Sequence, residues 1–383
     1  MNQLIIRVAA AGLLCLSAAA GSSAQNPEAT TPPPAAGGAP ADEKGLAERV
    51  KALEARQSAQ IEEQESFLSS YRNMFKLGIF GDVQFSTASR ELENAGFALG
   101  QTDLYGTANN GDRLNALFEL VLEYDGNTPV ADLERLWVGY TYSDALIVRL
   151  GKHHSAYGYW AKTFHHGAQL YTTIGRPFFL AFEDEGGIVP AHVTGLELEG
   201  NLPTSLARIK YEVQLGNGSS VVTGPEGAGE LDQQPTGDDN ANKLVIARLS
   251  ARPVAIPNIW VGIFGSYVEA MARSDDPLLT SFVRYTDAPQ AIAGAALSYL
   301  GNQWEFIAEY LHMRNSIDGL NDYANEDGET VLAADSRDTS NDAFYLQLGR
   351  TLHDNYTPYV RYEELRMDES DAYMLDLNQS NRR

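Results

Sequence analysis

Five of the seven histidines, His153, His154, His165, His166 and His192, lie in one stretch of the chain beside Glu183, Asp184 and Glu185. Imidazole and carboxylate bind borderline metal ions, and imidazole changes charge near neutral pH. No ligand pair stands at a zinc-type spacing, and adjacent histidines on a strand point to opposite faces. The cluster therefore reads as packing of one long connection, with a borderline-metal site or a pH-sensitive gate as the competing reading; no metal is assigned and no cofactor is expected. The acidic run 318–329 invites a calcium loop, but the EF-hand pattern ending in Asn325, Asp327 and Gly328 would need an acid where Tyr323 stands. A solvated outer loop holding divalent ions loosely is the expectation there. No G-x-S-x-G, H-E-x-x-H or P-loop occurs, and no nucleophile is placed beside His165 or His166, so the chain does not read as an enzyme.

Other charged residues recur at every second position. In 206–215, Arg208, Lys210, Glu212 and Gln214 alternate with Ala207, Ile209, Tyr211, Val213 and Leu215. In 114–124, Asn115, Glu119 and Glu123 oppose Leu114, Ala116, Phe118, Leu120 and Leu122; in 303–312, Glu305 and Glu309 oppose Trp304, Phe306, Ala308 and Tyr310. Near the end, Arg361 and Glu363 oppose Val360 and Tyr362. Side chains of a strand alternate between its faces, so each segment has one apolar, ring-bearing face and one charged face. With the polar face inward, the acids of a lumen are Glu119, Glu123, Glu197, Glu199, Glu212, Glu305, Glu309 and Glu363, against Arg135, Arg149, Arg208, Lys210 and Arg361. The excess of acid favours cations, and facing charges order dipolar solutes while denying apolar ones a dry path.

The elements that position these residues follow from composition. The chain has 383 residues and a formal charge of −23, a balance that excludes the basic footprint of a nucleic-acid binder. Residues 1–24 read as an export signal: Arg7, an apolar run, then Ser22-Ser23-Ala24. The single cysteine, Cys15, falls inside it, so the exported chain has no disulfide framework. Residues 25–41 are a Pro/Ala-rich linker. In 42–73, Leu46, Val50, Leu53, Gln57, Gln60, Gln64, Phe67 and Tyr71 keep heptad spacing, which points to a periplasmic coiled coil in a parallel oligomer, a trimer, with a solvated surface helix as the competing reading.

Residues 75–383 have period 2 throughout. They divide into thirteen strands near 76–87, 95–104, 112–124, 132–142, 145–152, 191–200, 206–215, 242–252, 258–270, 290–300, 303–313, 342–352 and 356–367. From the fourth strand onward, tight connections alternate with long polar ones. A transmembrane antiparallel β-barrel with turns at one end and loops at the other produces that parity, whereas a sandwich has no reason to. The longest connection, 153–190, is rich in aromatics and is expected to fold back against the barrel wall.

This organisation resembles trimeric bacterial outer-membrane porins, most closely the phosphate-selective porin O and P group. The resemblance covers residues 42–383; its distinctive stretch is Gly151-Lys152-His153-His154, Gly158-Tyr159-Trp160, His165-His166-Gly167 and Phe182-Glu183-Asp184-Glu185-Gly186-Gly187. It implies a sixteen-stranded all-β barrel with an N-terminal coiled coil, and a constriction formed by the third loop, including His165, His166, Glu183 and Asp184. It also implies outer-membrane lipid and lipopolysaccharide as surroundings and small hydrophilic or ionic solutes as cargo. The chain departs from the group in two ways. It stops at Asn381-Arg382-Arg383 without a terminal aromatic, three strands short of sixteen, so a C-terminal truncation is expected. It also lacks a dense arginine ladder, so phosphate specificity does not carry over. A barrel that anchors a binding or tethering protein is the alternative function.

Overall fold

The computed structural model describes residues 5–12, 51, 74–86, 96–111, 113–125, 128–164, 170–182, 186–221, 231–233, 237, 242–271, 287–317, 337–353, 356–369, 371, 373 and 374. The expected linker and nearly all of the expected coiled coil lie outside them, as do His165, His166, Glu183, Asp184 and Glu185.

The strands are β1 (Ile5–Gly12), β2 (Phe75–Ser86), β3 (Gly96–Asn110), β4 (Leu114–Asp125), β5 (Thr128–Ser143), β6 (Leu146–His154), β7 (His192–Pro203) and β8 (Ala207–Asn217). They continue with β9 (Ser220–Val221), β10 (Leu231–Asp232), β11 (Lys243–Pro253), β12 (Ile259–Met271), β13 (Asp287–Leu300), β14 (Trp304–Ile317), β15 (Arg337–Arg350) and β16 (Tyr359–Arg366). Each pairs with its neighbour in chain order, antiparallel throughout, apart from the short β9–β10 hairpin, which lies off this path. The thirteen segments read from the sequence are β2–β8 and β11–β16. A sixteen-stranded barrel was expected; the described path has fourteen strands, because β1 is added along the edge of β2, from Ile5 opposite Ser86 to Gly12 opposite Ile79. Unpaired edge N–H and C=O groups favour such an addition. Among the described residues no pairing joins β16 to β1.

Tight turns at 144–145, 204–206, 254–258 and 301–303 sit at one end of the sheet. The strand ends that bound 155–191, 218–242, 272–286 and 318–336 sit at the other. The pleat sorts side chains as the alternation requires. Val360, Leu150, Ile263 and Leu249 point outward and are 64%, 66%, 61% and 48% exposed, while Glu212, Glu309 and Gln347 on the opposite face are almost wholly buried. Water-soluble sheets bury the apolar face and solvate the polar one, so this distribution is inverted. No helix among the described residues is long and apolar enough to cross a membrane, which says nothing of strands.

The inner face is covered by connection 155–191, which carries a four-residue helix α1 (Trp160–Thr163) and a 3-10 turn at Phe178–Leu180. Its hydrogen bonds reach β8, β12, β14 and β16, on four separate strands of the sheet, so the sheet curls around it.

Candidate functional site

Connection 155–191 leaves the sheet through a narrow neck. The ends of β6 and β7 stay paired to His154 opposite His192, and Ser155 N–H donates to Ala191 O (2.9 Å). His192 Nε2 lies 2.7 Å from Glu134 Oε2, and His154 Nε2 lies 3.8 Å from Glu119 Oε2. His153 turns to Gly195 O (3.3 Å) and stacks near Trp137. Three of the five histidines thus meet at the neck, His154 and His192 beside carboxylates of β4 and β5 and His153 against the backbone of β7 and Trp137 of β5. Among the described residues no set of three or more His, Cys, Asp or Glu side chains is arranged to hold a metal ion.

Beyond the neck the chain drops onto the wall. Ala156 N–H donates to Gln214 Oε1 (2.8 Å), and the Tyr157 hydroxyl donates to Ser266 Oγ (2.8 Å). Complete burial raises the pKa of Tyr157, keeping its proton available for that bond. Gly158 has φ +51°, a left-handed conformation that glycine adopts without cost, and a Cβ there would collide with the Glu309 carboxylate. The close approach has a purpose: Glu309 accepts the N–H groups of Tyr159 (3.0 Å) and Trp160 (2.8 Å) and the hydroxyl of Tyr345 (2.7 Å). Those N–H groups start α1 and have no partner within it, so the carboxylate caps the helix from across the interior.

Further along, Thr172 donates to Glu305 (2.8 Å), and Phe178 N–H donates to Glu363 (2.7 Å). Arg361 donates to Thr173 Oγ1 (3.1 Å), Gly175 O (2.8 Å) and Arg176 O (2.7 Å). Glu305, Glu309, Arg361 and Glu363, read from the sequence as wall charges, are therefore brought together by holding this connection. Around them lies a dry contact. Tyr157, Tyr159, Trp160, Phe179, Leu180 and Ile188 pack against Ile246, Trp260, Phe264, Ile292, Ile307, Leu311, Met313 and Tyr345 of β11–β15.

A second group forms an ionic ladder on β6, β7, β8 and β11. Arg149 binds Glu197 (2.7 Å) and Glu199 (2.6 Å). Lys210 bridges Glu199 (3.0 Å) and Glu212 (3.3 Å), and Arg248 pairs with Glu212 through Nε (2.6 Å). From the connection itself, Lys162 reaches Glu197 (2.5 Å) and Glu212 (3.4 Å), while Arg248 donates to Gly158 O (2.6 Å). Elsewhere Arg135 pairs with Glu119 (2.5 Å), and Glu123 accepts from Gln101 (3.0 Å). Arg208 stands exposed at the turn end, opposite Arg252, apart from the ladder.

Sequence reasoning missed Lys162, Arg248 and Glu134 as site residues. Arg248 carried a usable signal, being two positions from Ser250 and flanked by outward Leu249. Lys162 sits in an aperiodic connection, and Glu134 faces inward only because the β4–β5 register shifts between Glu119 and Leu120, so no period in the sequence places either.

No protein-family profile and no curated protein sequence matches the chain. Similarity appears among solved structures. The outer-membrane channel DcaP of Acinetobacter baumannii aligns over 79% of this chain and 81% of its own at 10% identity and TM-score 0.42. OmpF of Salmonella typhi, in complex with daunomycin, aligns over 77% and 79% at 10% identity and TM-score 0.43. A loop-deletion mutant of OmpT, an outer-membrane protein of Vibrio cholerae, aligns over 77% and 95% at 10% identity and TM-score 0.35. These likenesses do not extend to the phosphate-selective porin O and P group.

Proposed function

We propose that the chain is a passive outer-membrane channel for small hydrophilic solutes, with connection 155–191 as its constriction. The observation that carries this reading is the inverted sheet: large apolar side chains exposed on one face, and buried charge on the other around an inward-folded connection. Exposed Val360, Leu150 and Ile263 have no reason to face water, and they suit a hydrocarbon surrounding. Flux then follows the gradient, and no reaction occurs. In this reading residues 1–24 are removed on export and β1 with them, which leaves the thirteen strands β2–β8 and β11–β16 in the exported sheet; residues 42–73 form a periplasmic coiled coil, and the assembly is a homotrimer among lipid and lipopolysaccharide.

The packing divides the interior. The half bounded by β11–β15 is filled by apolar contact with the connection, which closes it to hydrated solutes. Passage falls to the β2–β7 half, where hydrogen-bonding side chains line the wall. On the inward face of β2–β5, outside the ladder, Asp82, Asp103, Glu119, Glu123 and Glu134 outnumber Lys76 and Arg135, so the channel prefers cations. The ionic ladder with Lys162 forms the border between the two halves.

The test is conductance of the purified protein in a planar bilayer, expected as stepwise openings in groups of three. A well-assembled barrel without conductance would favour an anchor for a tethering protein. Cysteine scanning refines the test, since Cys15 is the only native cysteine. A thiol at Gln101→Cys is expected to react with charged reagents and reduce current, whereas Ser298→Cys is expected to stay silent. Equal reactivity at both would end the two-half reading.

A further inference from the structure

After β16 the chain does not run on along the sheet but turns inward. Met367, Asp371 and Met374 are 7%, 0% and 0% exposed, against the inner face at the end that carries the long connections. The Asp371 carboxylate accepts Nδ2 of Asn315 (3.0 Å) from β14, and Oγ1 of Thr339 (2.6 Å) and Nδ2 of Asn341 (2.5 Å) from β15. Asn341 in turn accepts Asp368 N–H (2.9 Å) through Oδ1. The Tyr373 hydroxyl then donates to Ile188 O (3.0 Å) of the constriction connection, and Met367 and Met374 join the apolar cluster that contains Ile188 and Phe179.

We propose that Met367, Asp368, Asp371, Tyr373 and Met374 form a strap that holds the returning limb of connection 155–191 down inside the channel, with Asp371 as its rivet. The outgoing limb has a rivet of its own in Glu309; the returning limb, past Phe178, is held by Tyr373 and the two methionines on one side and by Gln233, whose Nε2 donates to Gly187 O (2.9 Å), on the other. A buried carboxylate fully used by neutral donors fixes the strap to two strands, because any displacement strands polar groups on both sides. This device rests on the channel reading for its consequence, since only in a channel does the limb's position set the opening.

The experiment places a reporter thiol at Ile188→Cys, a wholly buried position, in the exported chain, and measures its labelling by a hydrophilic maleimide in detergent. Alone, the thiol is expected to be protected. Asp371→Asn replaces one acceptor oxygen with an NH2 donor facing the donor amides of Asn315 and Asn341, and is expected to speed labelling on the order of tenfold or more through local opening. Tyr373→Phe, which removes the hydroxyl that bonds Ile188 O and leaves the ring, is expected to speed it less, and it decides the matter should Asp371→Asn fail to assemble. Labelling as slow as in the parent in an assembled barrel overturns the strap. Faster labelling in a protein that never conducts upholds the strap and defeats the channel reading, so the two failures are told apart.

Discussion

Glu309→Ala is the substitution that separates a constriction held in place from one that merely fills space. The side chain is 2% exposed and accepts two backbone N–H groups of α1 and one tyrosine hydroxyl. Its removal leaves the N–H groups of Tyr159 and Trp160 buried in a dry cluster without an acceptor. A stranded buried donor costs about 1–3 kcal/mol, so the inward-folded state loses about 3 kcal/mol relative to a released one. That is on the order of a hundredfold in the opening equilibrium. The sheet itself is untouched, because the β13–β14 and β14–β15 ladders are backbone pairings that do not involve this carboxylate. The expected result is a barrel that assembles normally, as seen by its heat-dependent gel migration, with larger single-channel conductance and passage of larger sugars in liposome swelling. Conductance and size cut-off equal to the parent's, in an assembled barrel, would refute the view that Glu309 holds the constriction.

Four further outcomes follow from the same geometry. Val360→Arg, at a 64% exposed position, is expected to destabilise the barrel in lipid by about 2–4 kcal/mol in equilibrium unfolding; in a water-facing sheet it would be neutral, which gives the opposite result. Lys162→Gln leaves Glu197 and Glu212 with one cation fewer and is expected to shift the reversal potential in a salt gradient toward cation selectivity, while Glu123→Gln shifts it the other way. Gly158→Ala meets both a left-handed backbone and the Glu309 carboxylate, so it is expected to loosen the connection by about 1–3 kcal/mol, read as increased protease cleavage within 155–191. Neutralising Arg149, Arg208 and Lys210 together is expected to raise cation selectivity mainly through Arg149 and Lys210; the single Arg208 variant, lying outside the ladder, is expected to change the reversal potential least.

The thirteen segments and, away from register shifts such as the one that turns Glu134 inward, the face each strand residue occupies were legible in the chain because a pleated strand sorts its side chains with period 2. Glu305 and Glu309 opposite Trp304, Phe306 and Tyr310, or Arg361 opposite Val360 and Tyr362, needed no knowledge of neighbours. The parity of short and long connections was equally local. What the inward residues meet was not legible. Ile307 and Leu311 lie on the same face as Glu309, an apolar-and-charged mixture that alternation alone leaves unexplained; they are inward because Trp160, Phe179 and their neighbours cover them. Glu309 and Glu363 therefore hold a connection that a linear reading could only place nearby, and Lys162 enters the ladder from a segment with no period at all. Those partnerships join residues up to 188 positions apart, as Arg361 joins Thr173, and they depend on how far the sheet curls and where an aperiodic segment comes to rest. The sequence by itself determined the strands and their two faces, since those are set by the backbone one residue at a time; only the tertiary structure decided which inner surface is dry, which is wet and what pins the boundary, since those are set by contact across the interior.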